Sequence, residues 1–275
     1  MNPRVAVIQF PGVNCEFETA RALARAAIDP AVVRWNAPLE ALQRFDGFIL
    51  PGGFSYQDRV RAGAVAAADE VIEVVVEQAA EGKPVVGICN GAQVLVEAGL
   101  IPGLDSGSID LGLAPNKGMG RDGYYADWVF VKIGPDPVKC AITCRLEPGE
   151  VLPIPVAHSE GRFVSAQGGI FDRLDREGRI VLKYCEPDGA PARSFPSNPN
   201  GSERLAAGIA NLRGNVVALM PHPERGTWLR QVPDQLASPW AKRKLDGRAS
   251  WETLEAEGPC ARMFHSLREY IARCR

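Results

Sequence analysis

The stretch "PVVGICNGAQ", Pro84–Gln93, runs apolar through Val85, Val86 and Ile88 and then sets a cysteine between two glycines. It reads as a buried strand, a sharp turn and the start of a helix that continues through "VLVEAGL". A strand that is apolar on both faces belongs inside a parallel sheet covered on both sides, whereas a half-solvated antiparallel strand would alternate. The same unit recurs upstream. "VAVIQF" (Val5–Phe10) stops at Pro11-Gly12 and is followed by "CEFETARALARAAI", with apolar residues at helical spacing. "AVVRW" supplies a second strand, "FDGFILPGG" a third that closes on Pro51-Gly52-Gly53, and "AVAAADEVIEVVVEQAAEG" one long helix ending on Gly82. Strands alternating with helices predict an α/β fold on a doubly wound, mostly parallel sheet.

Further along the chain the texture changes. From Gly123 to Tyr184, short mixed runs such as "ADWVFVKI", "RFVSA" and "RIVLKY" are separated by Gly, Pro and Asp, with no helix long enough for a crossover. Antiparallel strands added at the sheet's edge are expected there. "PDGAPARSFPSNPNGS" reads as loop, "GNVVALMPHPER" as one more buried strand carrying His222 to its end, and "ARMFHSLREYIARC" as a closing amphipathic helix. Residues 227–258 have the weakest pattern and are expected to be an insertion within a single domain spanning 1–275.

With 275 residues, 46% hydrophobic and 23% charged, the composition is that of a globular protein with room for a sizeable core. A net charge of −2, with both signs interspersed, offers no basic surface for nucleic acid or an anionic membrane. The N-terminus lacks a long apolar leader and no window approaches eighteen apolar residues, so a cytoplasmic protein is expected. Seven cysteines without paired ligand spacing and three scattered histidines predict free thiols and no structural metal.

Gly87-Ile88-Cys89-Asn90-Gly91 has the spacing of a nucleophile elbow, in which flanking glycines let a strand fold sharply into a helix. Cys89 would sit at the helix N-terminus, where the partial positive charge and a neighbouring imidazole favour the attacking thiolate. A small buried cysteine at a strand end is the plainer reading, but both glycines and the preceding strand favour the nucleophile. A thiolate that opens an amide also needs a proton donor for the leaving amine. His222 ends a strand, and Glu224, two residues on in an extended segment, points to the same side and can hold the ring. Pro223 keeps His222 out of the helical region. The Gly53 and Asn90 amides are candidate oxyanion donors, with Gly52 and Gln93 as candidate substrate contacts. Of the seven cysteines, only Cys89 is expected to have a glycine-flanked turn, a helix N-terminus and an imidazole partner.

Together these residues resemble the class I, or triad, glutamine amidotransferases, and more narrowly the family of glutaminase subunits of phosphoribosylformylglycinamidine synthase. The narrower resemblance rests on "VIQFPGVNCE", "PGGFSYQDRVRAGAVAA", "GICNGAQVL", "PVAHSEGRF", "NPNGS" and "GNVVALMPHPER", which run in family order from Val5 to Arg225. It implies a flavodoxin-like sheet. It also implies that Cys89 attacks the side-chain amide of L-glutamine to form a γ-glutamyl thioester, that His222 protonates the departing ammonia and then activates water, and that Glu224 orients His222. It maps Gly53 and Asn90 onto oxyanion positions and Gln93 onto a glutamine contact, and adds His158, alone a surface loop histidine, as a pocket or interface residue. No cofactor is implied in this chain. Ammonia would pass to a synthetase subunit that uses ATP and magnesium to convert formylglycinamide ribonucleotide into its amidine in purine biosynthesis, with a third small subunit left open.

The chain departs from the family pattern at Gln57, where glycine is usual, and at Ala92, where an aromatic is usual; both are expected near the pocket. Its tail after Arg225 is also long, and Lys242, Arg243 and Lys244 within it read as a solvated face ahead of a partner contact. Competing readings are another triad amidotransferase, a γ-glutamyl hydrolase, and a catalytically idle regulatory subunit, the last disfavoured by the intact Cys89, His222 and Glu224.

Overall fold

The computed structural model describes residues 2–104, 108–118, 120 and 123–274. The apolar runs become strands β1 (Arg4–Gln9), β2 (Asp29–Arg34), β3 (Gly47–Leu50) and β4 (Val85–Ile88), with β3 and β4 buried at every residue. Helix α1 (Glu16–Arg25) connects β1 to β2. The predicted long helix between β3 and β4 is instead two, α2 (Ala64–Ala67) and α3 (Glu70–Ala80). Asp69 breaks it: its backbone is extended, at φ −75° and ψ 142°, and its carboxylate accepts from the Tyr56 hydroxyl at 2.7 Å. Aspartate competes with the helix for such bonds, which hydropathy alone does not register.

Helix α4 (Asn90–Glu97) follows β4 and lies close on one face of the sheet. A Cβ on Gly87 would sit 2.5 Å from Gly91 O and 2.7 Å from Leu95 Cδ1, so the contact requires glycine. The next strands are β5 (Gly112–Ala114), β6 (Tyr125–Ile133), β7 (Val151–His158), β8 (Arg162–Val164), β9 (Ile180–Cys185), β10 (Ala206–Ala210) and β11 (Val216–Leu219). Helix α5 (Ile170–Arg176) precedes β9; α6 (Pro239–Gly247), α7 (Trp251–Leu254) and α8 (Ala261–Cys274) end the chain. On the face opposite α4, Val86 and Ile88 meet Met263, Phe264 and Leu267 of α8, which makes the sheet doubly wound.

The main sheet runs β2-β1-β3-β4-β11-β10-β9-β6-β7. Its first five strands pair in parallel, in the flavodoxin-like order whose switch point lies between β1 and β3. From β11 outward every pairing is antiparallel, the expected edge extension. β5 and β8 form a separate pair. Strand β10 was not legible: "AAGIA" has small residues where strand signals rely on β-branched and aromatic ones. Its Gly208 lets Leu182 pack directly on the backbone, 3.3 Å from where a Cβ would stand.

The 227–258 segment folds back as α6, α7 and a small core of Leu229, Val232 and Ala241. The basic run is not one patch. Lys244 Nζ turns inward to Val232 O at 2.6 Å and Asp234 Oδ1 at 2.9 Å, while Arg243 lies 5.9 Å over the Trp240 ring. Among the described residues no helix is long and apolar enough to cross a membrane.

Candidate active site

The loops after β1, β3, β4 and β11 meet at the carboxyl end of the parallel strands, where open α/β sheets leave a crevice. A pocket there is lined by residues that include Cys15, Gly53, Cys89, Gln93, His158 and His222. Cys89 stands between β4 and α4 at φ 51° and ψ −106°, a conformation that costs a non-glycine residue energy and persists only where its surroundings enforce it. Its amide donates to Leu219 O at 2.8 Å, and a Cβ on Gly91 would sit 1.9 Å from Leu50 O. Both elbow glycines are therefore steric necessities. The Cys89 thiol donates to Ala157 O at 3.6 Å.

The extended segment expected through His222 and Glu224 is instead a 3-10 turn, Pro223–Gly226, headed by His222 at φ −104° and ψ 85°, with Pro223 in its first turn, where its missing N–H is not needed. His222 is held from two sides. Its amide donates to Pro155 O at 2.8 Å, and its Nδ1 lies 2.6 Å from Glu224 Oε1 with both side chains buried. Nε2, the nitrogen left for the nucleophile, has no normal hydrogen bond among the described residues. Burial alone would depress the imidazole pKa. The Glu224 carboxylate outweighs it, aided by the nearby Cys89 and Cys15 sulfurs, and raises it well above the ordinary value.

The Gly53 and Asn90 amides donate to no protein group among the described residues; Gly53 lines the pocket, whereas Asn90 is buried and does not. Gly52 lies beneath the pocket and not on its wall: a Cβ there would sit 2.7 Å from His222 Cε1 and 3.4 Å from Cys89 Cβ. The Asn90 side chain braces the neighbouring loop, accepting from Ser55 N at 3.0 Å and donating to Asp58 and Gln93. Gln93 is on the pocket wall, with its carboxamide donating to Glu160 O at 2.9 Å. His158 also lines the pocket. It is no surface histidine, since burial pushes its pKa down to about 3 and keeps it neutral.

Neither family departure lines the pocket; their chain neighbours Asp58 and Gln93 do. Gln57 sits in a left-handed run, with φ 53° at Tyr56, 59° at Gln57 and 53° at Asp58, where glycine would be the unstrained residue. Ala92 is fully buried, and nothing in the structure explains alanine in place of an aromatic.

Of the three features expected for Cys89 alone, the helix N-terminus and the imidazole are shared by a second cysteine, while the glycine-flanked turn is not. Cys15 caps α1 and lies beside His222, its Sγ accepting from Arg225 Nη2 at 3.1 Å. Sequence reasoning also missed Asp58, Tyr124 and Glu160 on the pocket wall, since they come from three separate segments with no shared spacing. All seven cysteines are free thiols. Donor atoms of Cys15, His222 and Glu224 lie within 4.8 Å of one another, close enough to share a cation, but the 2.6 Å bond between His222 and Glu224 already engages two of them.

A cysteine elbow beside a His–Glu pair on a doubly wound sheet of this order is the arrangement of the class I glutamine amidotransferases, and the CobB/CobQ-like glutamine amidotransferase domain matches residues 2–271. The subunit PurQ of phosphoribosylformylglycinamidine synthase from Methanothrix thermoacetophila is 42% identical over 273 residues, 98% of each chain. That from Pyrococcus furiosus is 40% identical over 224 residues, 82% of this chain and 89% of its own. A structure of PurLQS from Thermotoga maritima superposes with a TM-score of 0.71 at 30% identity, covering 98% of this chain and 99% of that one. The chain belongs to the PurQ family of phosphoribosylformylglycinamidine synthase subunits.

Proposed function

We propose that this chain hydrolyses L-glutamine to glutamate and ammonia as the glutaminase subunit of phosphoribosylformylglycinamidine synthase. The observation that carries the reading is Cys89 in its strained elbow, sharing a pocket with His222 whose Nδ1 is tied to Glu224. Cys89 Sγ attacks the side-chain amide carbon as His222 Nε2 takes the thiol proton, and the Gly53 and Asn90 amides receive the oxyanion. The tetrahedral adduct collapses as His222 gives its proton to the leaving nitrogen; ammonia departs and a γ-glutamyl thioester remains. Water, deprotonated by the same nitrogen, then releases glutamate and restores the thiol. Glu224 keeps Nδ1 protonated and supports the imidazolium that forms in each half. Gln93 and His158 are assigned to the glutamine-binding wall, and Gly52 to the floor under the triad.

The relatives are named as subunits of a synthase, and the Thermotoga assembly as PurLQS. The partner assigned here is accordingly a synthetase subunit that consumes the ammonia, with ATP and magnesium, to turn formylglycinamide ribonucleotide into its amidine, together with a third small subunit. The chain itself needs no cofactor for these steps, and its place is the cytoplasm. The test is labelling with a chloroketone analogue of glutamine followed by peptide mapping. Label on Cys89 with loss of glutaminase activity is expected; label chiefly on Cys15 or Cys185 would sink the assignment.

A further inference from the structure

The stretch "FPGVNCE" has no role in the chemistry above, yet it delivers a second thiol to the catalytic histidine. Cys15 Sγ is buried, donates to Asn14 Oδ1 at 3.2 Å and accepts from Arg225 Nη2 at 3.1 Å. Arg225 is anchored in turn by Glu18, one turn along α1, with Nε 2.8 Å from Oε1. The thiol and the imidazole both crowd the space beside Gly52: a Cβ there would lie 3.1 Å from Cys15 Sγ and 2.7 Å from His222 Cε1. Cys15 Sγ, a His222 ring nitrogen and a Glu224 carboxylate oxygen lie within 4.8 Å of one another, so the start of α1 brings a second group against the ring that Glu224 grips at Nδ1.

We propose that Cys15, held by the Arg225–Glu18 pair, is a positioning residue for the catalytic imidazole, stopping it from rocking about its bond to Glu224 and placing a polarisable sulfur against the imidazolium. A ring bonded at one corner keeps a rotational freedom that a second contact removes, and small misplacements of a proton donor are costly in rate. Sulfur is soft and polarisable, so a charged imidazolium is favoured beside it. Cys15 is not a second nucleophile, because burial pushes its thiol pKa up despite His222 and Arg225. The other groups acting on His222 are Glu224, Cys89 and His158, with Arg225 and Tyr124 close by. His158 is neutral and Arg225 is matched by Glu18, so none replaces the sulfur contact.

This rests on the glutaminase reading, and the experiment separates the two. Cys15→Ala and Cys15→Ser are compared with wild type in glutamine turnover and in the pH profile of Cys89 capture by iodoacetamide, which needs no glutamine. Cys15→Ala should lower kcat about tenfold with KM changed less than about twofold, and move the acid limb of the capture profile up by about half a pH unit. Cys15→Ser, which keeps the size and the hydrogen bonds, should recover at least half of the turnover. Wild-type kcat and an unmoved profile in Cys15→Ala, or a loss confined to KM, overturns the positioning role alone. A wild-type Cys89 that iodoacetamide does not capture overturns the glutaminase reading and this inference with it.

Discussion

Cys89 holds its place in the pocket at the cost of backbone strain, at φ 51° and ψ −106°, and the strain is measurable apart from the chemistry. Cys89→Ala and Cys89→Gly both remove the thiol, but only glycine adopts this conformation freely. Cys89→Gly should therefore be the more stable by about 1 kcal/mol in urea denaturation, even after glycine's entropic disadvantage. Equal midpoints would mean that the elbow is relaxed. His158 makes a second residue-scale case. Its pKa is about 3 in the fold because the ring is buried, against about 6.5 unfolded, so between those values the unfolded chain binds the extra proton. Stability from this group is complete above about pH 6.5 and falls as pH drops, by about 2–3 kcal/mol at pH 4.5. His158→Gln should lose less stability than wild type between pH 7 and 4.5; parallel losses would reject the burial argument.

At the scale of elements, α1 and the turn after β11 form one unit. The helix supplies Cys15 and Glu18, the turn supplies His222, Glu224 and Arg225, and the tail continues from that turn. Trp228 is flanked by the guanidinium groups of Arg25 at 5.3 Å and Arg230 at 5.0 Å, and the Leu229 amide donates to Ala256 O at 2.9 Å. The tail's satellite core has only Leu229, Val232 and Ala241 fully buried, so it should open before the main sheet does. Leu229→Ala should weaken it by about 2–4 kcal/mol and bring early proteolytic cuts within residues 230–258 while the sheet stays folded. A wild-type digestion pattern would show that the segment is held elsewhere. These helices were hard to foresee because α6 and α7 bury little: apolar periodicity marks elements that face a core, and theirs is three side chains deep.

For the whole molecule the question is coupling, since ammonia released without an acceptor is wasted. The Gly52 carbonyl accepts from the Asn14 and Cys15 amides at 3.4 and 3.2 Å, which ties the Gly52–Gly53 peptide, and with it the Gly53 oxyanion donor, to the start of α1. Two such bonds are each worth about 1 kcal/mol net, whereas one oxyanion donor is worth about a hundredfold in rate, so a partner pressing on this loop commands a large effect at small cost. Turnover should rise at least about tenfold when the synthetase, loaded with its nucleotide and ribonucleotide substrate, joins the chain. Equal rates alone and in the complex would rule out gating through this peptide. The sequence by itself determined the strands of the parallel sheet, the elbow around Cys89 and the closeness of His222 to Glu224, because each is a short-range matter: continuous hydropathy, glycines two residues either side of a cysteine, two residues separated only by a proline. That the pair closes through a 3-10 turn and not an extended segment was decided by the fold. Only the tertiary structure decided that β7 returns to set Pro155 O on the His222 amide, and that Cys15, far away in the chain, stands beside the same ring. Those contacts depend on how the twisted sheet and its antiparallel extension bring distant segments together, and no local spacing encodes such a meeting.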